Sequence, residues 1–272
     1  MIRQNLHTHT TFCDGKSTAE ELVKTAISLG CSSLGFSGHA PLPPPEGQSW
    51  TMSPDRVETY RQELLRLREQ YRDQLDIFLG LEQDIDSPAP GDGWDYLIGS
   101  VHDLYCGGQC YSVDNTREML LEAVDLWFGG DPLALAEAYY ARVAQVADIT
   151  GCQIVGHFDL VTKFNEGCSV FQDTHPRYQR AALDALDALC GKNLIFEINT
   201  GAMARGYRSA PYPAPFLLQE LARRGEAVCI TSDCHQAENL LFAFDLAEEL
   251  ARSCGFTETM VLTKEGFVPQ KL

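Results

Sequence analysis

Six of the seven histidines in this chain fall in short motifs that each read as the end of a β-strand. They are His7 and His9 in Asn5-Leu6-His7-Thr8-His9-Thr10, then His39, His102, His157 and His235. Glu82 and Asp233 occupy equivalent places. Imidazole and carboxylate are common protein ligands of catalytic zinc, iron and manganese. Side chains on an extended segment alternate with period two, so His7 and His9 face the same way and can hold one ion. Asp233-Cys234-His235 repeats that spacing. Glu82 follows the apolar run Leu79-Gly80-Leu81, and a carboxylate there needs a partner because an unpaired buried charge is costly. On spacing alone, Asp14 before Gly15 reads as a turn residue, and His39 before Pro41 also fits a satisfied loop histidine. The seventh histidine, His175 before Pro176, reads as a surface residue at a helix start. With Asp14 counted there are nine candidate ligands. At about three or four ligands per catalytic ion, with one shared carboxylate, nine suits two or three ions rather than one.

The elements that must position these groups alternate between strand and helix. Short apolar strands are expected at residues 3–6, 34–36, 77–79, 96–98, 154–155, 194–198 and 228–231, and each runs into a polar candidate. An eighth, Met260-Val261-Leu262, is a weaker candidate. Ser17 with Glu20 spells a capping box for the first helix, which stops at Gly30. Further helices are expected from Pro54 to about residue 71, then at 115–128, 132–150, 175–190, 213–224 and 239–253. The Pro-rich stretch 41–54 is long for a connector and reads as a lid or a wall of the site. This alternation marks parallel β/α units in one barrel, a single domain over residues 1–272. Active sites of such barrels are assembled where the strands end, at their C-terminal mouth.

A formal net charge of −17 disfavours a chain whose main partner is a nucleic-acid backbone. A small phosphorylated substrate stays compatible, because bound metals invert the local field. No apolar run is long enough to span a membrane, and no basic segment followed by an apolar stretch precedes His7. These features read as a cytoplasmic protein that binds neither nucleic acid nor membrane; oligomeric state is open. The ten cysteines include no Cys-x-x-Cys pair, and Cys106 and Cys110 flank a Gly-rich turn. Cys13 and Cys234, beside candidate ligands, read as small space-fillers in a reduced compartment.

The ordered set His7-x-His9, Asp14, His39, Gly80-x-Glu82, Ser100-x-His102, Gly156-His157-x-Asp159 and Ser232-Asp233-x-His235 resembles the PHP (polymerase and histidinol phosphatase) superfamily. The resemblance implies a distorted (β/α)7 barrel, α/β in class and TIM-like, with three divalent ions of zinc, iron or manganese at its mouth. Carried over, the first ion takes His7, His9, Glu82 and Asp233. The second takes Glu82, His102 and His157. The third takes Asp14, His39 and His235. Aspartate at position 14 resembles the histidinol-phosphatase branch.

Closely spaced divalent ions acidify a bridging water and neutralise phosphate oxygens, which is what phosphomonoester hydrolysis requires. Metal-activated hydroxide attack on a phosphate follows, with Glu82, Asp233 and His235 in catalytic roles; the acid for the leaving group is left open, with the last two as candidates. Arg205, in the loop Asn199 to Arg208, resembles the phosphate-binding arginine of histidinol phosphatases. Arg208 and Lys163 are further phosphate candidates, each equally readable as a solvated loop cation. Asp159 and Asn199 read as groups that orient ligands. The expected substrate is L-histidinol phosphate, in histidine biosynthesis. The alternatives are another small phosphorylated substrate such as a nucleotide or phosphodiester, a nucleic-acid-processing module, and a non-catalytic metal scaffold.

Overall fold

The computed structural model describes residues 3–43 and 49–272. Seven short strands form one all-parallel sheet: β1 (Gln4–Asn5), β2 (Ser33–Phe36), β3 (Asp76–Asp84), β4 (Tyr96–Ser100), β7 (Ile154–Val155), β8 (Ile195–Asn199) and β9 (Ala227–Thr231), in that spatial order. The gap in numbering is a hairpin, β5 (Asp103–Cys106) and β6 (Gln109–Ser112), which follows His102 and turns at Gly107-Gly108. The sheet curls until its first and last strands meet beyond their ends. There Thr8 and Cys234 form a parallel bridge: His9 N donates to Cys234 O (2.8 Å) and Cys234 N to His7 O (3.0 Å). The result is a nearly closed barrel.

Helices cover the outside: α1 (Ala19–Ser28), α2 (Val57–Gln70), α3 (Arg117–Trp127), α4 (Pro132–Val143), α5 (Val146–Thr150), α6 (Pro176–Leu189), α7 (Gly201–Ala204), α8 (Pro215–Arg224) and α9 (Phe244–Cys254). Each longer helix buries one stripe. In α2 these are Tyr60, Leu64 and Leu67, at i, i+4 and i+7, packed on α1 and β3. In α8 they are Leu217, Leu218 and Leu221, and the helix ends at Gly225 in the left-handed region (φ 75°), where a Cβ would be strained. The barrel interior is a separate cluster of Leu6, Phe78, Tyr96, Ile98, Ile154, Ile195, Cys229 and Leu262. The Tyr96 phenol crosses this interior to donate to Leu6 O, and a Cβ on Gly35 or Gly80 would collide with its ring or hydroxyl.

Several boundaries differ from the expected ones. The capping box is one residue later: Thr18 N donates to Glu21 Oε2 (2.8 Å) and Glu21 N to Thr18 Oγ1 (3.3 Å). Ser17 Oγ instead accepts from Ala237 N (3.0 Å), tying the helix start to the His235 loop. The helix expected over 132–150 is broken into α4 and α5, and the last helix begins at Phe244 rather than near 239. The eighth strand exists as β10 (Glu258–Thr263) but lies outside the barrel sheet, paired antiparallel with β11 (Gly266–Lys271). It is clasped to the barrel by Gln4, whose Nε2 donates to Leu262 O (2.8 Å) while Leu262 N donates to its Oε1 (2.9 Å). Of the Pro-rich stretch 41–54, residues 44–48 lie outside the described residues.

Candidate metal centre

The nine candidate ligands converge at the C-terminal mouth of the barrel. His7 and His9 follow β1, His39 follows β2, His102 follows β4, His157 follows β7, and Asp233 and His235 follow β9. Glu82 lies within β3, in the stretch that pairs with β4, rather than after a strand. Asp233 is also not extended. Its φ of 47° puts it in the left-handed region, so the pair Asp233 and His235 reaches the mouth through a strained turn rather than by strand alternation.

Glu82 is the centre of the arrangement. Its Oε2 faces His39 Nδ1 (2.9 Å), His7 Nε2 (3.2 Å) and His9 Nε2 (3.5 Å). Its Oε1 faces His157 Nε2 (3.0 Å) and His102 Nε2 (3.4 Å), and accepts from Ser100 Oγ (2.7 Å). One carboxylate therefore spans two groups of imidazoles. Asp233 Oδ1 lies 3.1 Å from His9 Nε2 and 3.6 Å from His7 Nε2. Asp14 meets His235 Nε2 at 3.1 Å and His39 Nε2 at 3.8 Å, which corrects the turn-only reading of its spacing.

Five atoms of these ligands, His7 Nε2, His9 Nε2, Asp14 Oδ1, Glu82 Oε2 and His157 Nδ1, are buried and make no hydrogen bond. Leaving such atoms unpaired is costly unless something else binds them. Three sets of side chains bring ligand atoms within 4.8 Å of one another: His9, Asp14, His39 and His235; His7, His9 and Asp233; and His39, Glu82 and His102. Ligand atoms about 2.1 Å from one tetrahedral ion stand about 3.4 Å apart, close to the spacings seen here. The donors are nitrogen and oxygen, the set that zinc, iron and manganese accept. The residues fit bound divalent ions.

The buried carboxylates draw positive charge into this cluster. Burial opposes charging of His7, but Glu197, Glu82 and Asp233 outweigh it and raise its pKa. His9, buried beside His235 and His39, is pushed down to about 3 and is neutral, the form that ligates. Glu82 resists protonation despite its burial, because His39, His7 and His102 surround it. Burial and the neighbouring Asp14 push the Cys13 thiol up to about 12, and burial likewise raises Cys234 to about 12. Neither thiol is a nucleophile at neutral pH.

A second layer holds the imidazoles, and sequence reasoning missed its main members. Buried Glu197 accepts from His7 Nδ1 (2.8 Å), Thr231 Oγ1 (2.8 Å), Asn199 Nδ2 (2.8 Å) and the His157 backbone N–H. It was legible as the one charge in Leu194-Ile195-Phe196-Glu197-Ile198. Asp84 accepts from His102 Nδ1 (2.9 Å); two residues past Glu82, it shares that residue's face of β3. Asn199 therefore acts on Glu197, while Asp159 accepts from Ala214 N (2.9 Å) and bonds no candidate ligand.

A cavity of about 330 Å³ opens over the ligands. Besides Asp14, His39, Glu82, His102, His157, Asp233 and His235, its wall includes Trp50, Asp114, Lys163 and Arg205. Trp50 packs on His39 and His102, with ring centroids 4.6 Å and 5.1 Å away, so the described end of the Pro-rich stretch is a wall of the site. Arg205 donates to Asp233 Oδ2 (2.9 Å) and Asp233 O (3.1 Å). Neither remaining cation is a solvated loop residue. Lys163 is buried, with Nζ donating to Asp114 O (2.6 Å) and Oδ2 (3.1 Å). Arg208 does not line the cavity: it donates to Thr162 O (2.9 Å) and lies over the Tyr212 ring. His175 is exposed and caps α6 by accepting from Arg177 N (3.2 Å).

Comparison with known proteins follows from this geometry. A model of the PHP domain matches residues 5–201. A Deinococcus radiodurans protein named "Probable histidinol-phosphatase" is 33% identical over 93% of this chain and 94% of its own length. The histidinol-phosphatase of Bacillus subtilis is 27% identical over 90% of this chain and 98% of its own. The solved histidinol phosphate phosphatase of Lactococcus lactis, complexed with zinc, L-histidinol and phosphate, superposes with a TM-score of 0.72. That match covers 98% of both chains at 21% identity, a likeness of fold.

Proposed function

The chain belongs to the PHP domain family, and from that premise we propose that it is a metal-dependent phosphomonoesterase that hydrolyses L-histidinol phosphate to L-histidinol and phosphate. The observation that carries this reading is the gathering of all nine candidate ligands at one barrel mouth, seven of them lining one cavity, in a chain that matches histidinol-phosphatases along nearly its whole length. The reading treats residues 1–272 as one domain of a cytoplasmic enzyme.

Three divalent ions are assigned. His7, His9, Glu82 and Asp233 would hold the first, Glu82, His102 and His157 the second, and Asp14, His39 and His235 the third. When bound, such ions neutralise phosphate oxygens and acidify water to a nucleophile near neutral pH. The protein's own residues do the rest. Glu82 ties the two groups of imidazoles together, and Glu197 and Asp84 fix the rings of His7 and His102. Arg205 and Lys163 supply fixed positive charge from the cavity wall for the phosphate. Arg208 supports that wall through Thr162 rather than binding phosphate itself. Asp233 or His235, beside Arg205, would take the proton released by the attacking water and pass it to the departing alkoxide. Trp50 and Leu160 keep part of the cavity dry.

The test is to load the purified protein with manganese or zinc and compare L-histidinol phosphate with other monoesters, a diester and single-stranded DNA. Efficient and preferential turnover of L-histidinol phosphate is expected. No turnover of it by metal-replete protein would sink the reading, and preference for a nucleotide or diester would replace it.

A further inference from the structure

The seven-stranded barrel is closed only near its mouth. β1 and β9 end the sheet, and no ladder joins them below the Thr8–Cys234 bridge. That seam is covered by α9 and by β10, which packs against β9 without pairing to it. Among these elements lies a second cavity of about 290 Å³, which shares no residue with the one at the mouth. Leu6, Ile230, Phe244, Met260 and Val261 give it apolar surface. Glu248, Arg252, Lys271 and Thr259 give it both signs of charge and a hydroxyl. Glu248 lies in the buried stripe of α9, between Ala247 and Ala251, and is only 9% exposed. A carboxylate so placed needs partners. Its Oε2 accepts from Arg252 Nη2 (2.9 Å), and among the described residues its Oε1 accepts nothing. Thr259, 5% exposed, bonds no described residue through its hydroxyl, and Lys271 forms no ion pair among them.

We propose that this seam cavity is a binding site for a free α-amino acid with an apolar side chain. The ammonium sits on Glu248 Oε1, the carboxylate on Lys271 and Arg252, and the side chain against Leu6, Ile230 and Phe244. Glu248 and Arg252, one helical turn apart, present opposite charges to the same space, which a zwitterion matches. Each pairing is a charge-assisted hydrogen bond, and burial keeps solvent from screening it. A water takes about 30 Å³, so the cavity holds a molecule of about ten non-hydrogen atoms, the size of leucine.

L-Leucine is the probe, titrated by calorimetry into the metal-loaded protein with inorganic phosphate saturating the mouth. Binding is expected, and it should raise the melting temperature, since a ligand of the folded state alone stabilises it. 4-Methylpentanoate, the same molecule without its ammonium, should bind about 10-fold or more weaker. Glu248→Gln should weaken L-leucine by a similar factor and leave 4-methylpentanoate unchanged, a selectivity that a damaged fold would not produce. Lys271→Met should weaken both. Val261→Phe, which fills the cavity, should remove L-leucine binding while metal content stays the same. The proposal is overturned if L-leucine does not bind at millimolar concentration, or if Glu248→Gln or Val261→Phe binds it as the wild type does. It is also overturned if Glu248→Gln weakens 4-methylpentanoate as much as L-leucine, since Glu248 would then only shape the cavity.

Discussion

Glu197 shows how much of this site depends on residues that touch no substrate. One carboxylate holds the His7 ring, the His157 backbone and Asn199 together, so its loss should loosen two parts of the cluster at once. Glu197→Ala is expected to lower metal affinity about 10- to 100-fold, read as metal content after dialysis against a weak chelator. Glu82→Ala should abolish activity, whereas His175→Ala should leave kcat and KM within about twofold, since His175 only caps an exposed helix end. Equal losses in these two would overturn the ligand assignment. Asp114 gives a pH prediction. Burial opposes its ionisation, but Lys163 and His102 outweigh it and move the pKa from 3.8 to about 2. A folded-state pKa below the unfolded one stabilises the fold above pH 4, and that contribution fades as pH falls through 2. Acid unfolding of Asp114→Asn should lack that part of the slope. Most ligands were legible because they end or nearly end an apolar run, whereas Asp14 read as a turn residue on spacing and joined the set only through the ordered motifs; Glu197 and Asp84 act by touching other strands, and such contacts exist only once the barrel has closed.

Elements place those residues through a few local choices. Thr18 and Glu21 close the first turn of α1, and Thr18→Ala should cost about 1 kcal/mol in urea denaturation, with Ser17→Ala costing less at this helix. Spacing alone cannot separate Ser17 with Glu20 from Thr18 with Glu21, since both pairs satisfy the same pattern; in the fold Thr18 caps the helix and Ser17 accepts from Ala237 N instead. Gly35 and Gly80 leave room for Tyr96 inside the barrel, so Gly80→Ala should destabilise by about 1–3 kcal/mol through overpacking. A matched Gly80→Ala, Tyr96→Phe double variant should recover only part of this, because the ring itself is in the way. The strand alternation was readable from sequence; the hairpin β5–β6 was not, since Asp103-Leu104-Tyr105-Cys106 offers too short an apolar pattern. Strand β10 could be found but not placed, because membership of a sheet depends on what lies beside it.

At the level of the whole molecule, the ligand cluster couples folding to metal. Buried ligand atoms without hydrogen bonds oppose the metal-free fold, and bound ions would satisfy them. For one site with free ion at 100 times its Kd the gain is about 2.7 kcal/mol, so chelation should lower the melting temperature by at least about 5 °C in calorimetry. An unchanged Tm after verified metal removal would contradict that coupling. No helix among the described residues is long and apolar enough to cross a membrane. The clasp between Gln4 and Leu262 has a mechanical consequence. It joins the first strand to a hairpin that stands outside the sheet, while the mouth is closed separately by Thr8 and Cys234. Tension applied at Leu272 unzips β11 from β10 one bond pair at a time before it reaches the barrel. An optical trap, or a protease that threads its target from the carboxyl end, should therefore record a small early step of hairpin release and then a much harder barrier.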